Sequence, residues 1–546
     1  MRRGMFAVVV VLALVLAACG GGVQTATPEQ GGGGQTAGDG AATATTGTTG
    51  TPSDEGTEAP SGNVPTGGEL IIGNNADAKV LDPHLSTDLY SARVYDQIFE
   101  TLVDIDFDGN YVPVLATDWE IEEDGKVWTF TLREGVKFHD GEEMTSEDVK
   151  FSLERLKDPE TNSPHRPDFV GIETVETPDP YTVRVTLAEP SGVFISGLLN
   201  GAIVPKHVVE QAGEQFNTSP VGTGPFKFVE WVPDDRIVVE AFEDYWGGRP
   251  KLDRLVFRPI PETSTRLVEL ETGGIHLTGE VPGQELERLE STEGITVDSV
   301  IGTNYRILAM NTSRPPFDDP LVRQAIAHVI NKQQLIDTVY PGVAVKAEGP
   351  IPPTSWAYDE NFKGRDFDLE RAKELMAQSS YPDGFETTLM VSEGEIGQRD
   401  AVVLQSMLQA INIKVNIETV EWGTFLDRMT ARNYDMLRVG WTTTPEPDSL
   451  LYNVFHSTSE QFNFTAYNNP EVDRLLDEGR RETDMEQRAE IYRQIQQIVV
   501  EEAPMVFLYH ERRIVAYDDG VTGFRPHLSG TFLFKNSFGA DVGIDQ

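Results

Sequence analysis

Thr387-Thr-Leu-Met-Val391, Ala401-Val-Val-Leu-Gln-Ser-Met-Leu-Gln-Ala410 and Ile413-Lys-Val-Asn-Ile-Glu-Thr-Val420 follow one another in the second half of the chain. The outer two are short runs rich in β-branched residues, which suit a pleated strand. The middle one repeats its apolar residues at helical spacing. Strands alternating with helices of this length predict an α/β layer. The pattern extends outward in both directions. Pro320–Ile330 and Leu369–Ala377 read as helices before it, Met436–Val439 as a strand after it, and Glu471–Arg480 with Met485–Glu501 as two late helices. Behind Pro504, the apolar Met505–Tyr509 reads as a strand that returns to the first half of the chain.

The first half has a different rhythm. Glu69–Gly73 reads as a buried strand, and Asp82-Pro83 turns into a helix around Ser86–Thr101. Trp119–Glu122 and Val127–Leu132 flank Asp124-Gly125, a hairpin signal. Thr145-Ser-Glu-Asp148 is a capping box that opens a helix over Val149–Leu156. Tyr181–Leu187 and Arg236–Ala241 read as further strands. Order begins near Glu69, and the ordered body is too long for one hydrophobic core, since single cores stop growing near about 250–300 residues. At least two lobes are expected, and a chain that crosses twice between them makes a hinged pair with a cleft.

Ahead of this body lie two segments of another kind. Met1-Arg-Arg-Gly4 precedes the uninterrupted apolar run Met5–Ala18, and Leu16-Ala-Ala-Cys19 closes it. A positive start, a short apolar core and small residues before a cut site make a secretory leader. The run is well short of the roughly 20 residues a spanning helix needs. Leu-Ala-Ala-Cys matches a bacterial lipobox, in which Cys19 is acylated and becomes the mature N-terminus. One acyl chain holds a protein only weakly, so a diacylated cysteine is the expected anchor. Residues 20 to about 66 are nearly all Gly, Thr, Ala, Ser, Pro and a few acids. They bury too little apolar surface to offset ordering, so a flexible leash is expected, spanning roughly 35–40 Å.

Cys19 is the single cysteine, which excludes disulfides, cysteine metal sites and a cysteine nucleophile from the mature body. The 88 acidic against 44 basic residues give a formal charge of −44, which repels phosphate backbones and argues against nucleic-acid binding. The chain has no Walker-type loop, nucleophile elbow or HExxH helix. Gly222-Thr-Gly224 is followed by Pro225, which cannot donate an N–H, so a tight turn is expected rather than a phosphate cradle. The nine histidines show no metal-ligand spacing, and pairs such as Glu122-Glu123 and Asp318-Asp319 read as solvated faces or caps. No catalysis, no metal and no cofactor are expected.

Order-specific text runs through the body. Leu81-Asp-Pro-His84, Ile98-Phe-Glu-Thr-Leu102, Val112-Pro-Val-Leu-Ala-Thr-Asp-Trp119 and Trp128-Thr-Phe-Thr-Leu-Arg-Glu-Gly-Val-Lys-Phe-His-Asp-Gly141 come first. Pro220-Val-Gly-Thr-Gly-Pro-Phe226, Phe317-Asp-Asp-Pro-Leu-Val-Arg-Gln-Ala-Ile326, Glu421-Trp-Gly423, Gly440-Trp441 and Asn469-Pro-Glu-Val-Asp-Arg-Leu-Leu476 follow. This order resembles the family 5 extracellular solute-binding proteins, the dipeptide, oligopeptide and nickel receptors of ABC importers. The resemblance implies an α/β, two-lobed periplasmic-binding-protein fold of type II, with an extra subdomain in lobe I and a ligand cleft between the lobes. It divides the chain into a signal peptide (1–18), a lipidated N-terminus and linker (19–66), lobe I (67–305 plus 506–546) and lobe II (306–505). It also implies an ABC permease as partner, a membrane contact through the lipid alone, an extracytoplasmic location and a monomer.

Site residues follow from the same resemblance. Trp422 and Trp441 match ligand-contacting tryptophans, Thr442, Thr443 and Thr444 continue that loop, and Asn75, Ala76 and Asp77 follow the first strand where the family brings polar groups to the ligand. Two departures matter. The aspartate that holds a peptide's ammonium is replaced by Thr444, whose hydroxyl cannot neutralise a buried cation. Ungapped counting from Trp422 puts Val391 at the carboxylate-binding arginine, with Arg399 the nearest arginine. Glu446 or Asp77 are the substitutes for the missing acid. The expected ligand is a peptide-class solute; an oligosaccharide or other polar solute stays open, and a surface-tethered hydrolase is the alternative from another class.

Overall fold

The computed structural model describes residues 66–545 apart from 442–443, 460–461 and 536–540. The leader, Cys19, nearly all of the linker, Thr442 and Thr443 therefore lie outside the described residues. Among the described residues, one sheet of eleven strands runs through the body. Its order is Ile413–Val420, Phe385–Ser392, Met436–Trp441, Ile295–Met310, Met505–Asp518, Leu277–Thr278, Glu69–Asn74, Arg254–Pro259, Arg236–Ala241 and Phe226–Val232. Ala344–Lys346 pairs with Met505–Asp518 off this path.

Alternation along the strands sorts their side chains into separate cores. In the 305–310 stretch, Leu308 and Met310 join one apolar cluster, with Leu389, Val391 and Met436. Tyr305, Ile307 and Ala309 point the other way, into a second cluster with Met390, Leu437 and Val439. The first half repeats the scheme: Leu70, Ile72, Leu255, Phe257 and Val515 share one cluster, while Ile514 and Ala516 face another with Leu267 and Leu270. A four-stranded antiparallel sheet, Ala116–Glu122, Val127–Leu132, Thr182–Leu187 and Ile172–Asp179, carries its own core around Trp128 and Phe130. The fold is mixed α/β and two-lobed, with this extra sheet as the inserted subdomain.

Among the described residues, only the strands Ile295–Met310 and Met505–Asp518 hold residues of both sets of cores. They pair antiparallel, and the register shifts between Ile301 and Tyr305. The expected return strand Met505–Tyr509 is therefore the first part of a longer one. Val506–Tyr509 pack in the clusters of residues 305–509, and the strand passes into the other lobe only beyond His510. The apolar run ends at the polar stretch His510-Glu-Arg-Arg513.

Local signals explain other elements. The Thr145 N–H donates to the Asp148 carboxylate at 3.0 Å, which completes the capping box of helix Ser146–Lys157. Asp124 and Gly125 both take positive φ in the hairpin turn. Neither Gly222 nor Gly224 does. A Cβ at Gly222 would stand 2.1 Å from the Ile98 carbonyl oxygen, so these glycines serve close backbone approach to the helix Leu89–Ile98.

The Leu81-Asp-Pro-His84 text is a clamp. Arg155, on the capped helix, donates to both oxygens of the fully buried Asp82 at 3.1 and 2.6 Å. It also donates to His84 Nδ1 at 2.8 Å, while His84 Nε2 lies 2.7 Å from the Ala202 carbonyl. A guanidinium aimed at Nδ1 requires a neutral ring with its hydrogen on Nε2. Burial, with Arg155 beside it, holds the His84 pKa down at about 4 from 6.5. A depressed base contributes fully above pH 6.5 and loses that contribution as pH falls through 4. Acidification to pH 5 should cost about 2 kcal/mol through this residue. Denaturant unfolding across this range checks it: His84→Gln should flatten the slope, and an unchanged slope would refute the assignment.

Candidate functional site

The first strand ends at Asn74, and the loop behind it carries the expected ligand groups. Asp77 is committed elsewhere. Its carboxylate accepts from Ala78 N at 2.9 Å, Trp231 Nε1 at 3.1 Å and Asp234 N at 2.9 Å, pinning the loop to a hairpin. Ala76 is exposed. Asn75 is half-buried, and its Oδ1 is buried with no hydrogen-bond partner among the described residues.

Trp441 closes the strand Met436–Trp441 and is half-buried, its ring 5.7 Å from Phe462 and 5.8 Å from Phe464. Its ladder partner is Tyr305, which in turn faces His510. Trp422 is different: 51 % exposed at the start of helix Trp422–Thr430 and stacked on Phe425 at 5.5 Å. Thr444 is exposed, and its hydroxyl engages the start of helix Pro447–Phe455, 3.1 Å from Ser449 Oγ and accepting from Glu446 N at 3.3 Å.

Neither substitute anchor is available in this arrangement. Glu446 is buried and ion-paired with the fully buried Arg488 at 2.6 Å, and it accepts from Tyr111 Oη at 3.2 Å. Burial pushes its pKa up, opposed by Arg488. Asp448 is bound through both oxygens by Arg480 Nε, at 3.1 and 3.0 Å. Val391 is fully buried in a core, because the strand's alternation turns it into the apolar cluster with Leu389. Arg399 lies exposed on helix Glu395–Gln409.

A cavity of about 180 Å³ opens along the two long strands where they pass between the lobes. Arg93, Glu280, Asn304, Glu511, Arg512 and Arg513 are among its lining. It is one hydrogen bond from the first loop, since Arg93 Nη1 donates to Asn74 Oδ1 at 2.9 Å. It is one ladder rung from the tryptophan, since Asn304 precedes Tyr305, the partner of Trp441. Arg93 ion-pairs with Glu280 and lies 4.1 Å from the Phe532 ring. Glu511 is paired with Arg306 at 2.7 Å. Asn304 Oδ1 and His510 Nδ1 are buried without partners among the described residues. Burial holds His510 neutral, with its pKa down at about 4. These groups escaped the motif reading. The signal that could have found them is the polar His510-Glu-Arg-Arg513 set inside an apolar strand.

A second cavity, about 510 Å³, lies between the inserted sheet and helix Met485–Glu502, lined by Tyr111, Trp119, Trp356, Ile195, Ala489 and Arg493 among others. Gly192 N donates to the Arg480 carbonyl at 2.7 Å beside it, so the inserted subdomain touches the late helices directly. Among the described residues no three His, Cys, Asp or Glu side chains cluster to hold a metal.

Comparison with known proteins places this geometry. Residues 110–462 match the profile of the bacterial extracellular solute-binding proteins, family 5. The chain is 32 % identical over 482 residues to a glutathione-binding protein GsiB of Pectobacterium atrosepticum, covering 86 % of this chain and 94 % of that one. It is 34 % identical to the ABC transporter-associated periplasmic binding protein DppA of Helicobacter pylori in complex with the peptide STSA, covering 88 % of this chain and 99 % of that one, with a TM-score of 0.69. Against the periplasmic murein tripeptide-binding protein MppA in its unliganded open form, identity is 25 %, coverage 89 and 99 %, and the TM-score 0.79.

The two tryptophans should separate by stability. Trp441→Ala removes a half-buried ring from an aromatic cluster and should cost about 2 kcal/mol, whereas Trp422→Ala should cost less than about 1 kcal/mol. Chemical denaturation of both variants measures the difference; equal costs would contradict the packing described.

Proposed function

Because the chain belongs to the family 5 bacterial extracellular solute-binding proteins, we propose that it captures a peptide-class solute by hinge closure and delivers it to the permease of an ABC importer. Its relatives are binding proteins: one named for glutathione, another an ABC transporter-associated protein holding a tetrapeptide. The observation that carries the peptide class is the cavity along the two long strands. It offers guanidinium donors together with the acceptor Asn304 Oδ1. A peptide supplies both a carboxylate and N–H groups.

In this reading lobe I comprises 67–305 with the inserted subdomain and the chain that returns from beyond His510, and lobe II lies between the two crossings. The crossing falls inside the paired strands, near Asn304 and beyond His510. Trp441, Asn75, Ala76 and the 442–444 loop contribute to the ligand site, and Trp422 lies at its margin; the protein is a monomer and not an enzyme. Hinge closure draws support from the comparisons. The open, ligand-free MppA superposes better, at a TM-score of 0.79, than the more similar liganded DppA at 0.69. A solute that bridges both lobes favours the closed arrangement by its differential affinity. Cys19 tethers the body to the outer face of the cell membrane, with residues 19–66 as the leash; no described helix is long and apolar enough to cross a membrane.

Two measurements test these proposals. Thermal melting against di- and tripeptides, glutathione and oligosaccharides should show stabilisation by peptides, about 2.7 kcal/mol at a hundredfold excess over Kd. Small-angle scattering should show contraction with the same compounds. Stabilisation by oligosaccharides alone, or turnover of any of them, would overturn the peptide-receptor reading. Cys19→Ser should move the protein from the membrane fraction to the soluble one; retention at the membrane would refute the lipid tether.

A further inference from the structure

The sequence shows no charged residue where dipeptide receptors hold the two ends of their ligand, and the structure removes the substitutes. Glu446 belongs to Arg488, and Asp77 to Ala78, Trp231 and Asp234. Charge reappears where the long strands cross. The charged side chains that line the 180 Å³ cavity are Arg93, Arg512 and Arg513 against Glu280 and Glu511. Both glutamates are already matched, Glu280 by Arg93 and Glu511 by Arg306. Arg513 donates from Nε to the Leu528 carbonyl at 3.0 Å, and Arg512 from Nη1 to Ser299 Oγ at 3.3 Å. Neither has a carboxylate within ion-pair distance among the described residues, in a chain with 88 acids and 44 bases.

A partly buried guanidinium satisfied by neutral oxygens alone keeps unmet demand for an anion. Arg513 bears this out: burial lowers its pKa, with Glu280 only partly compensating and Arg93 adding to the depression. The remaining polar neighbours do not meet that demand. His527 is buried and held neutral, its pKa lowered by desolvation. Asn304 Oδ1 is an acceptor without a donor, which suits an N–H adjacent to the bound anion.

We propose that the cavity at the strand crossing is the carboxylate subsite of the ligand cleft, with Arg513 as its donor and Asn304 accepting from a neighbouring N–H of the same solute. This rests on the peptide-class reading and narrows it to solutes with a free carboxylate. The planar fork suits a carboxylate, and a cavity of this size admits the end group but not the body of a peptide. The body extends toward Asn75 and Trp441. The anion therefore sits on the two strands that join the lobes, beside the register shift between Ile301 and Tyr305.

The test uses the full-length protein in detergent and titration calorimetry with two probes, glutathione and its diamide, in which both the glycyl and the γ-glutamyl α-carboxylates are blocked. Wild type should bind the acid at least about tenfold more tightly than the amide. Arg513→Gln should weaken the acid by about 30-fold or more and leave the amide unchanged. Arg513→Lys should fall between, while Arg512→Gln, on the opposite face of the strand, and Arg481→Gln, at an exposed site, should match wild type. Melting curves confirm that each variant is folded. Equal binding of acid and amide, or an Arg513→Gln variant that binds glutathione like wild type, would overturn the subsite and leave the receptor reading standing. If neither probe binds wild type, the peptide reading loses its support, and succinate at constant ionic strength decides the subsite. Thermal stabilisation by succinate that Arg513→Gln loses supports it; equal response overturns it.

Discussion

The backbone ladder between Ile295–Met310 and Met505–Asp518 is the constraint on which the rest of the structure depends. These strands alone carry side chains into the cores of both lobes, so the ladder sets where each lobe sits. Alternation then does the rest. Once Tyr305 and His510 are paired, period two decides which neighbours face each core and which face the crossing. The polar stretch His510–Arg513 interrupts the apolar pattern between the cores of the two lobes, with Tyr305 on one side and Phe532 on the other.

Buried ion pairs serve elsewhere as joints. Asp82 with Arg155, Asp400 with Arg438 and Glu446 with Arg488 each link segments far apart in sequence. A buried pair contributes little net stability against an apolar replacement, but removing one partner strands a charge. Such pairs therefore fix geometry more than they add stability. Glu446 shows the consequence for function. Its arginine and the Tyr111 hydroxyl hold the start of the helix behind the Trp441 loop, so the acid positions that loop and has no capacity left for a ligand.

Much of the fold was legible because its signals are local. The Thr145–Asp148 box, the Asp124-Gly125 turn and the strand–helix–strand order of 385–420 each need only neighbouring residues. The site was less legible, for a physical reason. Whether an acid is free to meet a ligand depends on a base that the fold brings to it. Glu446 and Arg488 are far apart in sequence, and nothing local tells Glu446 from an uncommitted carboxylate. Asp77 looked like an anchor for the same reason, its partners lying in a hairpin beyond Trp231. Val391, placed by ungapped counting where the arginine is missing, lies on the inward side of a strand.

The missing rungs between Ile301 and Tyr305 have a mechanical meaning. A two-strand ribbon resists stretching, because every rung along it would have to break together. It bends readily only where rungs are absent. A closure of the kind proposed is then confined to roughly one angular coordinate, with sliding and separation suppressed. In the closure proposed, a solute that bridges the lobes would select one end of that angle and its loss the other. For a membrane partner that must tell loaded from empty, such a molecule behaves as a two-position gauge, whatever the solute inside.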